Sequence, residues 1–326
     1  MIAAVFPGQG AQYVGMGRDL ANRFPEAREV FRRASDAAGL DLLRLCAEGP
    51  EEALRQTENT QPAILTASLA CLATIPLTPA CAAGLSLGEY TALVCAGALS
   101  LEDAVRLVRR RGRYMQEACD GLDTMMAAVV GLEADHVRAM CEAHAHLGVV
   151  EPSNFNGPGQ IVVGGEAAAV RAVLNAARAA GARRALPLAV SAPFHTRLMA
   201  PAAARLAAEL EDLPIRDAAI PVVANVSAAP VQTADDIRRA LLAQVASPVR
   251  WEESVRAMHA RGVRTFVEIG PGTTLSGMIR RTVEAATWHV EDTASRDETL
   301  IALGATRAAA RGGEAARGEM GGDAPR

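Results

Sequence analysis

Short apolar runs alternate with longer amphipathic stretches along most of the chain. We predict strands where about five mostly apolar residues run directly into a glycine or a polar turn. Strands that alternate with helices in this way are typical of an α/β protein with a mostly parallel sheet. The runs that predict these strands are Ile2–Phe6, Ala80–Gly84, Val222–Val226 and Thr265–Ile269.

The pattern changes in the middle of the chain, where the strand and helix signals follow the order βαββαβ. The second of these helices carries four apolar residues on one stripe, as expected for a helix that covers one face of a sheet. This order is the split βαβ arrangement of a ferredoxin-like unit. The predicted segments are Met126–Gly131, Ala134–His144, Val149–Asn154, Gln160–Gly164, Glu166–Ala180 and Arg184–Val190.

The two patterns together predict one domain inserted into another. We expect residues 124–192 to form the small ferredoxin-like domain, and residues 1–123 and 193–305 to form the larger, discontinuous α/β domain. Beyond residue 305 the composition turns to Arg, Ala, Gly and Glu without an apolar period. We therefore predict a disordered tail over residues 306–326.

Composition and charge narrow the classes of function. Half of the residues are hydrophobic, and 33 basic and 37 acidic side chains give a net charge of -4, which is ordinary for a globular protein. Every basic side chain is an arginine, so Schiff-base catalysis by lysine and lysine-dependent phosphate loops are excluded. Because there is no basic block, we expect no nucleic-acid partner.

Apolar runs and cysteines indicate the cellular compartment of the protein. No apolar run approaches the ~18 residues that cross a bilayer, and the first residues lack the charged and apolar regions of a signal peptide. Six cysteines are scattered without a C-x-x-C pair, and we interpret them as reduced and structural. We expect a cytoplasmic protein without a membrane partner.

The most informative motif is a G-x-S-x-G sequence at Gly84–Gly88. It follows a predicted strand and leads straight into a predicted helix, which is the context of a nucleophile elbow. The N–H groups at the start of that helix would lie where an oxyanion forms on an acylated serine. We therefore predict that Ser86 is a nucleophile and that the backbone N–H of Leu87 is an oxyanion donor, against the alternative of a simple tight turn.

Further blocks of sequence, taken together with this motif, resemble a known family. In the order in which they occur over roughly residues 1–290, they resemble the signature blocks of malonyl-CoA:acyl-carrier-protein transacylases. The resemblance implies a hydrolase-like α/β domain with an inserted ferredoxin-like domain. The blocks are Phe6–Gln12, Thr60–Ala63, Gly84–Tyr90, Arg111–Gln116, Asn154–Gln160, Ala192–His195 and Glu268–Gly272.

The resemblance implies catalytic roles residue by residue. Ser86 would form the acyl-enzyme, and His195 would be its general base, because an imidazole can accept the serine proton and return it to a departing thiol. The backbone N–H of Gln9 would be the second oxyanion donor. A backbone carbonyl would orient the histidine, and the matching block, Ser247–Trp251, points to Arg250.

The same resemblance implies a substrate site. Arg111 would bind the free carboxylate of a malonyl group, since a planar guanidinium can form two parallel hydrogen bonds to it. The alternative is a solvated basic helix face shared with Arg109 and Arg110. The resemblance also suggests substrate contacts for Gln61, Met115 and Phe194.

These roles predict an acyltransferase that moves malonyl from malonyl-CoA to the phosphopantetheine thiol of acyl carrier protein through a seryl ester, for fatty acid synthesis. We expect no metal and no redox cofactor. One alternative is a trans-acting acyltransferase or acyl hydrolase of polyketide assembly. Another is a non-catalytic scaffold that docks carrier protein, suggested by Leu85 at a position where the family commonly has histidine.

Overall fold

The computed structural model describes residues 1–190 and 192–304. Helices and strands alternate along much of this part of the chain. The α-helices are α1 (Arg18–Arg23), α2 (Pro25–Ala38), α3 (Leu42–Glu48), α4 (Glu51–Arg55), α5 (Thr57–Ala73), α6 (Leu87–Cys95), α7 (Leu101–Glu117), α8 (Ala134–His144), α9 (Ala167–Ala179), α10 (Ala200–Asp212), α11 (Ala234–Gln244), α12 (Trp251–Ala260) and α13 (Thr274–Thr282), with further helical residues at 293–304. The strands are β1 (Ile2–Phe6), β2 (Cys81–Gly84), β3 (Thr124–Val130), β4 (Val150–Gly157), β5 (Gln160–Glu166), β6 (Arg184–Pro187), β7 (Val222–Val223), β8 (Pro230–Val231), β9 (Thr265–Ile269) and β10 (Ala286–Val290).

The larger sheet has six strands in the order β10-β9-β1-β2-β7-β8. All neighbours run parallel except the edge pair β7 and β8. Along β1, Ala4 and Phe6 join a core that includes α2, α5 and α7, while Ala3 and Val5 join a core that includes α12 and α13. Helices therefore cover both faces, as a continuous apolar strand in a parallel sheet requires. The predicted mostly parallel α/β sheet is confirmed.

The smaller sheet is antiparallel, with the strand order β4-β5-β3-β6. Its elements follow the predicted order βαββαβ, and α8 and α9 pack together against one face. Side chains of β3 alternate between two cores, because Ala127 and Val129 face these helices and Met126 faces the larger unit. This sheet confirms the ferredoxin-like arrangement expected from the sequence.

The two sheets take their strands from different parts of the chain. All four strands of the smaller sheet lie within residues 124–192, as predicted, and the described strands of the larger sheet lie outside that range. That residues 124–192 form a domain of their own stays a prediction. Residue 305 and the predicted tail at 306–326 lie outside the described residues.

Backbone contacts join β4 of the smaller sheet to the segment that precedes α12. The N–H of Phe155 donates to the carbonyl of Val249 at 2.8 Å, and the N–H of Val249 donates to the carbonyl of Ser153 at 2.9 Å. The carboxyl ends of β1 and β2 lie at the same edge of the larger sheet, because these strands are parallel neighbours. Gln9 after β1 and Ser86 after β2 line one cavity with Met126 and Val162 of the smaller sheet, so both turns face that sheet.

Within the described part of the chain, none of the helices combines the length and the apolar character needed to span a membrane.

Candidate active site

Ser86 occupies the sharp turn between β2 and α6. Its backbone has φ 53° and ψ -103°, a conformation that residues other than glycine rarely adopt. The turn closes so tightly that a Cβ on Gly84 would lie 2.0 Å from the carbonyl carbon of Gly88, and a Cβ on Gly88 would lie 2.1 Å from the carbonyl oxygen of Phe6. Only glycine fits at both positions, so the motif forms the predicted elbow.

Asn225, just after β7, holds the elbow from the side. Its Oδ1 accepts a 2.6 Å hydrogen bond from the N–H of Ser86, and its Nδ2 donates to the carbonyl of Gly84 at 2.7 Å. The side-chain amide thus pairs with backbone groups on both sides of Leu85. No local motif marks this residue, because it lies 139 positions from Ser86 in an otherwise ordinary turn.

His195 lies directly against the serine. Its Nε2 is 2.6 Å from Oγ of Ser86, and its Nδ1 is 2.9 Å from the carbonyl oxygen of Gln244. A carbonyl oxygen can only accept a hydrogen bond, so this contact assigns the ring proton to Nδ1 and leaves Nε2 as the acceptor that faces the serine hydroxyl. The imidazole is almost fully buried, with 3% of its surface exposed.

The prediction that the carbonyl of Arg250 orients His195 is wrong. That carbonyl accepts hydrogen bonds from the N–H and the hydroxyl of Ser254, so it is the first acceptor of helix α12. Gln244 is the last residue of α11, and the final carbonyls of a helix have no partner within the helix. The carbonyl at the end of α11, which otherwise accepts only a long 3.4 Å contact from the N–H of Ser247, therefore aligns the imidazole in place of the predicted loop position.

Arg111 extends from α7 into the same site, with only 1% of its surface exposed. Its guanidinium donates to Oε1 of Gln61 at 2.9 Å, to Oε1 of Gln244 at 3.0 Å and to Oγ of Ser86 at 3.1 Å. Within the described residues no carboxylate oxygen lies within 4.0 Å of it, and its Nε has no hydrogen-bond partner. Arg111 is thus a buried cation with donors to spare.

The neighbouring arginines behave differently. Arg109 donates to the backbone carbonyl of Ala38, and Arg110 forms a 2.9 Å ion pair with Glu209. Both are only partly buried, whereas Arg111 turns inward under Tyr90, with its guanidinium carbon 5.2 Å from the ring centroid. The alternative of one shared basic helix face does not describe Arg111.

Burial and charge shift the acid–base behaviour of the site. Burial, reinforced by the nearby positive charge of Arg111, lowers the pKa of His195 to about 4. Burial raises the pKa of Glu89 to about 7, against the opposing effect of its hydrogen bonds with Asn225 and Gln244 and of the charge on Arg111. His195 is therefore neutral, and able to accept a proton, over the physiological pH range.

A cavity of about 240 Å³ opens between the two sheets above Ser86. Of the predicted site residues, all but Arg250 line it. The cavity thus brings together Gln9, Gln61, Ser86, Leu87, Arg111, Met115, Phe194 and His195.

The cavity wall also includes residues that sequence analysis did not single out. Met126 and Val162 contribute apolar surface from the smaller sheet, and Asn154 and Asn156 contribute amides from β4. The Oδ1 atom of Asn156 is buried without a hydrogen-bond partner in the described structure. The smaller sheet therefore forms one wall of the site.

The fold and the site together define an α/β enzyme with a serine on a nucleophile elbow, an imidazole in contact with its hydroxyl, and a buried cation beside it. A family model described as "Acyl transferase domain" matches residues 4–311. The chain belongs to this family, and it is an acyltransferase.

Individual relatives and solved structures show which members of the family this chain is similar to. The malonyl CoA-acyl carrier protein transacylase of Escherichia coli K12 is 47% identical over 289 residues, which cover 87% of this chain and 94% of the relative. An acyl carrier protein S-malonyltransferase from Vibrio cholerae superimposes with a TM-score of 0.89 at 44% identity, covering 91% of this chain and 99% of that one. A malonyl-transacylase solved in complex with its holo type II PKS acyl-carrier protein gives a TM-score of 0.88 at 46% identity, covering 90% and 97%.

Proposed function

We propose that this acyltransferase moves a malonyl group from malonyl-CoA to the phosphopantetheine thiol of acyl carrier protein, and so supplies extender units for fatty acid synthesis. The observation that carries the proposal is the buried guanidinium of Arg111, 3.1 Å from Oγ of Ser86. An acyl group that forms an ester with Ser86 would place a substituent on its second carbon next to this cation. A carboxylate is the substituent that matches it in charge and geometry.

The donor count of Arg111 supports a carboxylate ligand. A guanidinium has five N–H donors. Three of them point to Gln61, Gln244 and Ser86, so two remain. A plain alkyl group would leave a buried charge with no anionic partner, which is costly. This is the reason to prefer malonyl transfer over general acyl transfer or hydrolysis.

The proposed first half-reaction acylates the enzyme. Oγ of Ser86 attacks the thioester carbonyl while Nε2 of His195 takes its proton, and the N–H groups of Gln9 and Leu87 stabilise the oxyanion. As the C–S bond breaks, His195 returns the proton to the coenzyme A thiolate. Within the described part of the chain, neither N–H is committed to another acceptor.

The proposed second half-reaction reverses these roles. His195 takes the proton of the carrier thiol, whose sulfur attacks the malonyl ester, and then returns a proton to Ser86 as the C–O bond breaks. The same groups serve both steps, because each step passes through a tetrahedral oxyanion at the same carbon. This chemistry calls for no metal ion and no redox cofactor, since imidazole and backbone N–H groups move the proton and stabilise the charge.

The acceptor and the compartment belong to the same proposal. A carrier protein of polyketide assembly is the second candidate acceptor, favoured by the likeness to the malonyl-transacylase that was solved with a type II PKS carrier. Measured transfer rates to carriers of the two pathways would decide between the acceptors.

We place the reaction in the cytoplasm, since all six cysteines are free thiols, as a reducing compartment would keep them.

Weighing the intact protein after incubation with malonyl-CoA tests the reaction itself. The wild-type chain should gain one malonyl group, and Ser86→Ala should gain none while keeping its fold, because the hydroxyl is only partly buried and its loss opens no core cavity. Subsequent addition of holo carrier protein should remove the adduct from the wild-type chain. A Ser86→Ala variant that still transfers malonyl would refute the elbow as the reaction centre.

A further inference from the structure

Glu89 is a buried carboxylate next to the elbow that the proposed mechanism does not use. It lies in the first turn of α6, three residues after Ser86, and only 1% of its surface is exposed. Its Oε2 accepts a hydrogen bond from Nε2 of Gln244 at 2.8 Å and another from the N–H of Asn225 at 2.9 Å. One carboxylate oxygen therefore holds two residues that are separate in sequence and that both contact the site.

The hydrogen bond to Gln244 favours one of the two orientations of its side-chain amide. Nε2 of Gln244 points to two acceptors, Oε2 of Glu89 and the carbonyl of Ser86, while Oε1 accepts from Arg111. A flipped amide would set its oxygen against the carboxylate and its N–H groups against the guanidinium. Glu89 therefore fixes the orientation of the Gln244 side chain together with the Ser86 carbonyl and Arg111.

The backbone of Gln244 connects this orientation to the base. Its carbonyl oxygen is the partner of Nδ1 of His195 at 2.9 Å. Because Gln244 ends α11, the only backbone N–H in the described structure that donates to this carbonyl is that of Ser247, through a long contact of 3.4 Å. The side-chain bonds to Glu89 and Ser86 anchor the helix end at the point where it meets the imidazole.

The hydrogen bond to Asn225 connects Glu89 to the nucleophile. Asn225 pairs with the N–H of Ser86 and the carbonyl of Gly84, and Glu89 holds the backbone N–H of Asn225 in register with them. The elbow and the base are thus fixed to the same oxygen atom from opposite sides. Their separation, 2.6 Å between Oγ and Nε2, depends on both connections.

We propose that Glu89 is a positioning residue that aligns His195 with Ser86 by accepting hydrogen bonds from Gln244 and Asn225. The role rests on hydrogen-bond acceptance rather than on charge, since an uncharged carbonyl oxygen at the same place could accept both bonds. The proposal rests on Ser86 being the nucleophile of the proposed function, but not on the identity of the acyl group.

The test measures the reactivity of Ser86 with a probe that carries no malonyl group. A fluorophosphonate reagent labels a serine only when its base is aligned, and the labelling rate can be followed by intact mass. Glu89→Leu removes the acceptor, and Glu89→Gln keeps an acceptor without the charge. Glu268→Leu is the matched control, because Glu268 is equally buried and accepts two backbone N–H groups, from Leu275 and Ser276, without contacting Gln244 or Asn225.

The expected order of rates separates positioning from packing. Glu89→Leu should label about 10- to 100-fold more slowly than wild type, the scale for a misplaced catalytic group. Glu89→Gln should stay within about fivefold, and folded Glu268→Leu within about threefold, even where its melting temperature falls. Labelling of Glu89→Leu within threefold of wild type would overturn the proposal, and so would a Glu89→Gln variant as slow as Glu89→Leu.

If Glu89→Leu does not fold, a variant with a shorter carboxylate tests the positioning role instead. Glu89→Asp keeps the charge but withdraws the oxygen by one methylene, so it cannot reach both donors. It should label at least tenfold more slowly than Glu89→Gln, and equal rates would contradict the proposal. Failure of the wild-type chain itself to label would instead count against Ser86 as the nucleophile and hence against the proposed function.

Discussion

Arg111 acts on two neighbours at once. It lies 3.1 Å from the hydroxyl of Ser86, and its charge helps to hold the pKa of His195 far below the usual value for histidine. A carboxylate that pairs with Arg111 offsets that charge and lets the imidazole become a stronger base. Substrate binding and base strength are therefore coupled through one side chain.

The pKa of His195 predicts an unusually acid-tolerant reaction. The imidazole accepts a proton only in its neutral form, so kcat/KM for acylation by malonyl-CoA, which reports the free enzyme, should stay level as the pH falls through 6.5 and should decline with a midpoint near 4. Initial rates between pH 3.5 and 8, with circular dichroism to confirm the fold at each pH, measure this. A midpoint at or above 6.5 would contradict the effect of burial.

The same shift predicts how His195 affects stability. Its pKa is lower in the folded chain than in the unfolded chain, so the unfolded chain binds the proton first as the pH falls. The contribution of neutral His195 is therefore complete above about pH 6.5 and is lost as the pH falls toward 4. Urea unfolding of wild type and His195→Phe, which cannot titrate, should show less loss of stability over this range in the variant.

Replacement of Arg111 tests malonyl recognition. Arg111→Ala should lower kcat/KM for malonyl-CoA by roughly 2–4 kcal/mol, the scale for losing one partner of a buried ion pair, and should raise the relative use of acetyl-CoA. Arg111→Lys should restore little, because a point charge cannot reproduce the planar fork. The measurement is the ratio of malonyl to acetyl kcat/KM, and an unchanged ratio would remove the main chemical support for malonyl.

Local motifs identified some of these residues, whereas long-range contacts decided others. Ser86 lies in a motif that is complete within five residues, and His195 and Arg111 lie in short blocks. Gln244 and Asn225 lie at a helix end and in a turn, and their hydrogen bonds to the elbow and α6 span more than 130 positions. The place of Arg250 in a sequence block predicts the wrong carbonyl, because the imidazole instead donates to the carbonyl at the end of α11.

At the scale of the elements, the elbow depends on close backbone contact. Gly84→Ala should destabilise the chain by at least about 2 kcal/mol, because the added methyl group meets backbone atoms that cannot move aside. Gly277→Ala is the matched control, since it lies inside α13 with its nearest neighbour 3.8 Å away and should be neutral or gain up to about 1 kcal/mol. Urea unfolding compares the two, and equal stabilities would contradict the contact argument.

Apolar runs predicted the buried elements better than the edges of the sheets. Strands β1 and β9 begin and end where the sequence places them, because both are buried central strands. The run at Val222–Val226 forms only a two-residue strand, since Asn225 turns away to hold the elbow. The edge strands β8 and β10 were not predicted, because half-buried strands lack a continuous apolar run.

At the scale of the whole molecule, the cavity is shared between the two sheets. Phe194 and Leu87 border it from the larger unit, and Met126 and Val162 border it from the smaller sheet. Side chains from both units therefore limit the size of the acyl group that the cavity admits.

This shared wall predicts a preference for malonyl over methylmalonyl. One extra methyl group in an apolar pocket changes the transition-state energy by ~1–3 kcal/mol, so the preference should be roughly 10- to 200-fold. Competition between the two thioesters, read from the mass of the acyl-enzyme, measures it. Phe194→Ala should reduce the preference, and equal use of both thioesters by the wild-type chain would contradict the prediction.

The backbone of the site also bears on how such a chain can evolve. Ser86 and His195 are two of the three non-glycine residues with positive φ in the described structure, at 53° and 62°. Glycine or asparagine would adopt that conformation at a lower cost in free energy. Ser86 and His195 are therefore kept although a substitution would stabilise the backbone. A lineage released from selection for acyl transfer should lose these two side chains early, while the residues of the sheet cores are still unchanged.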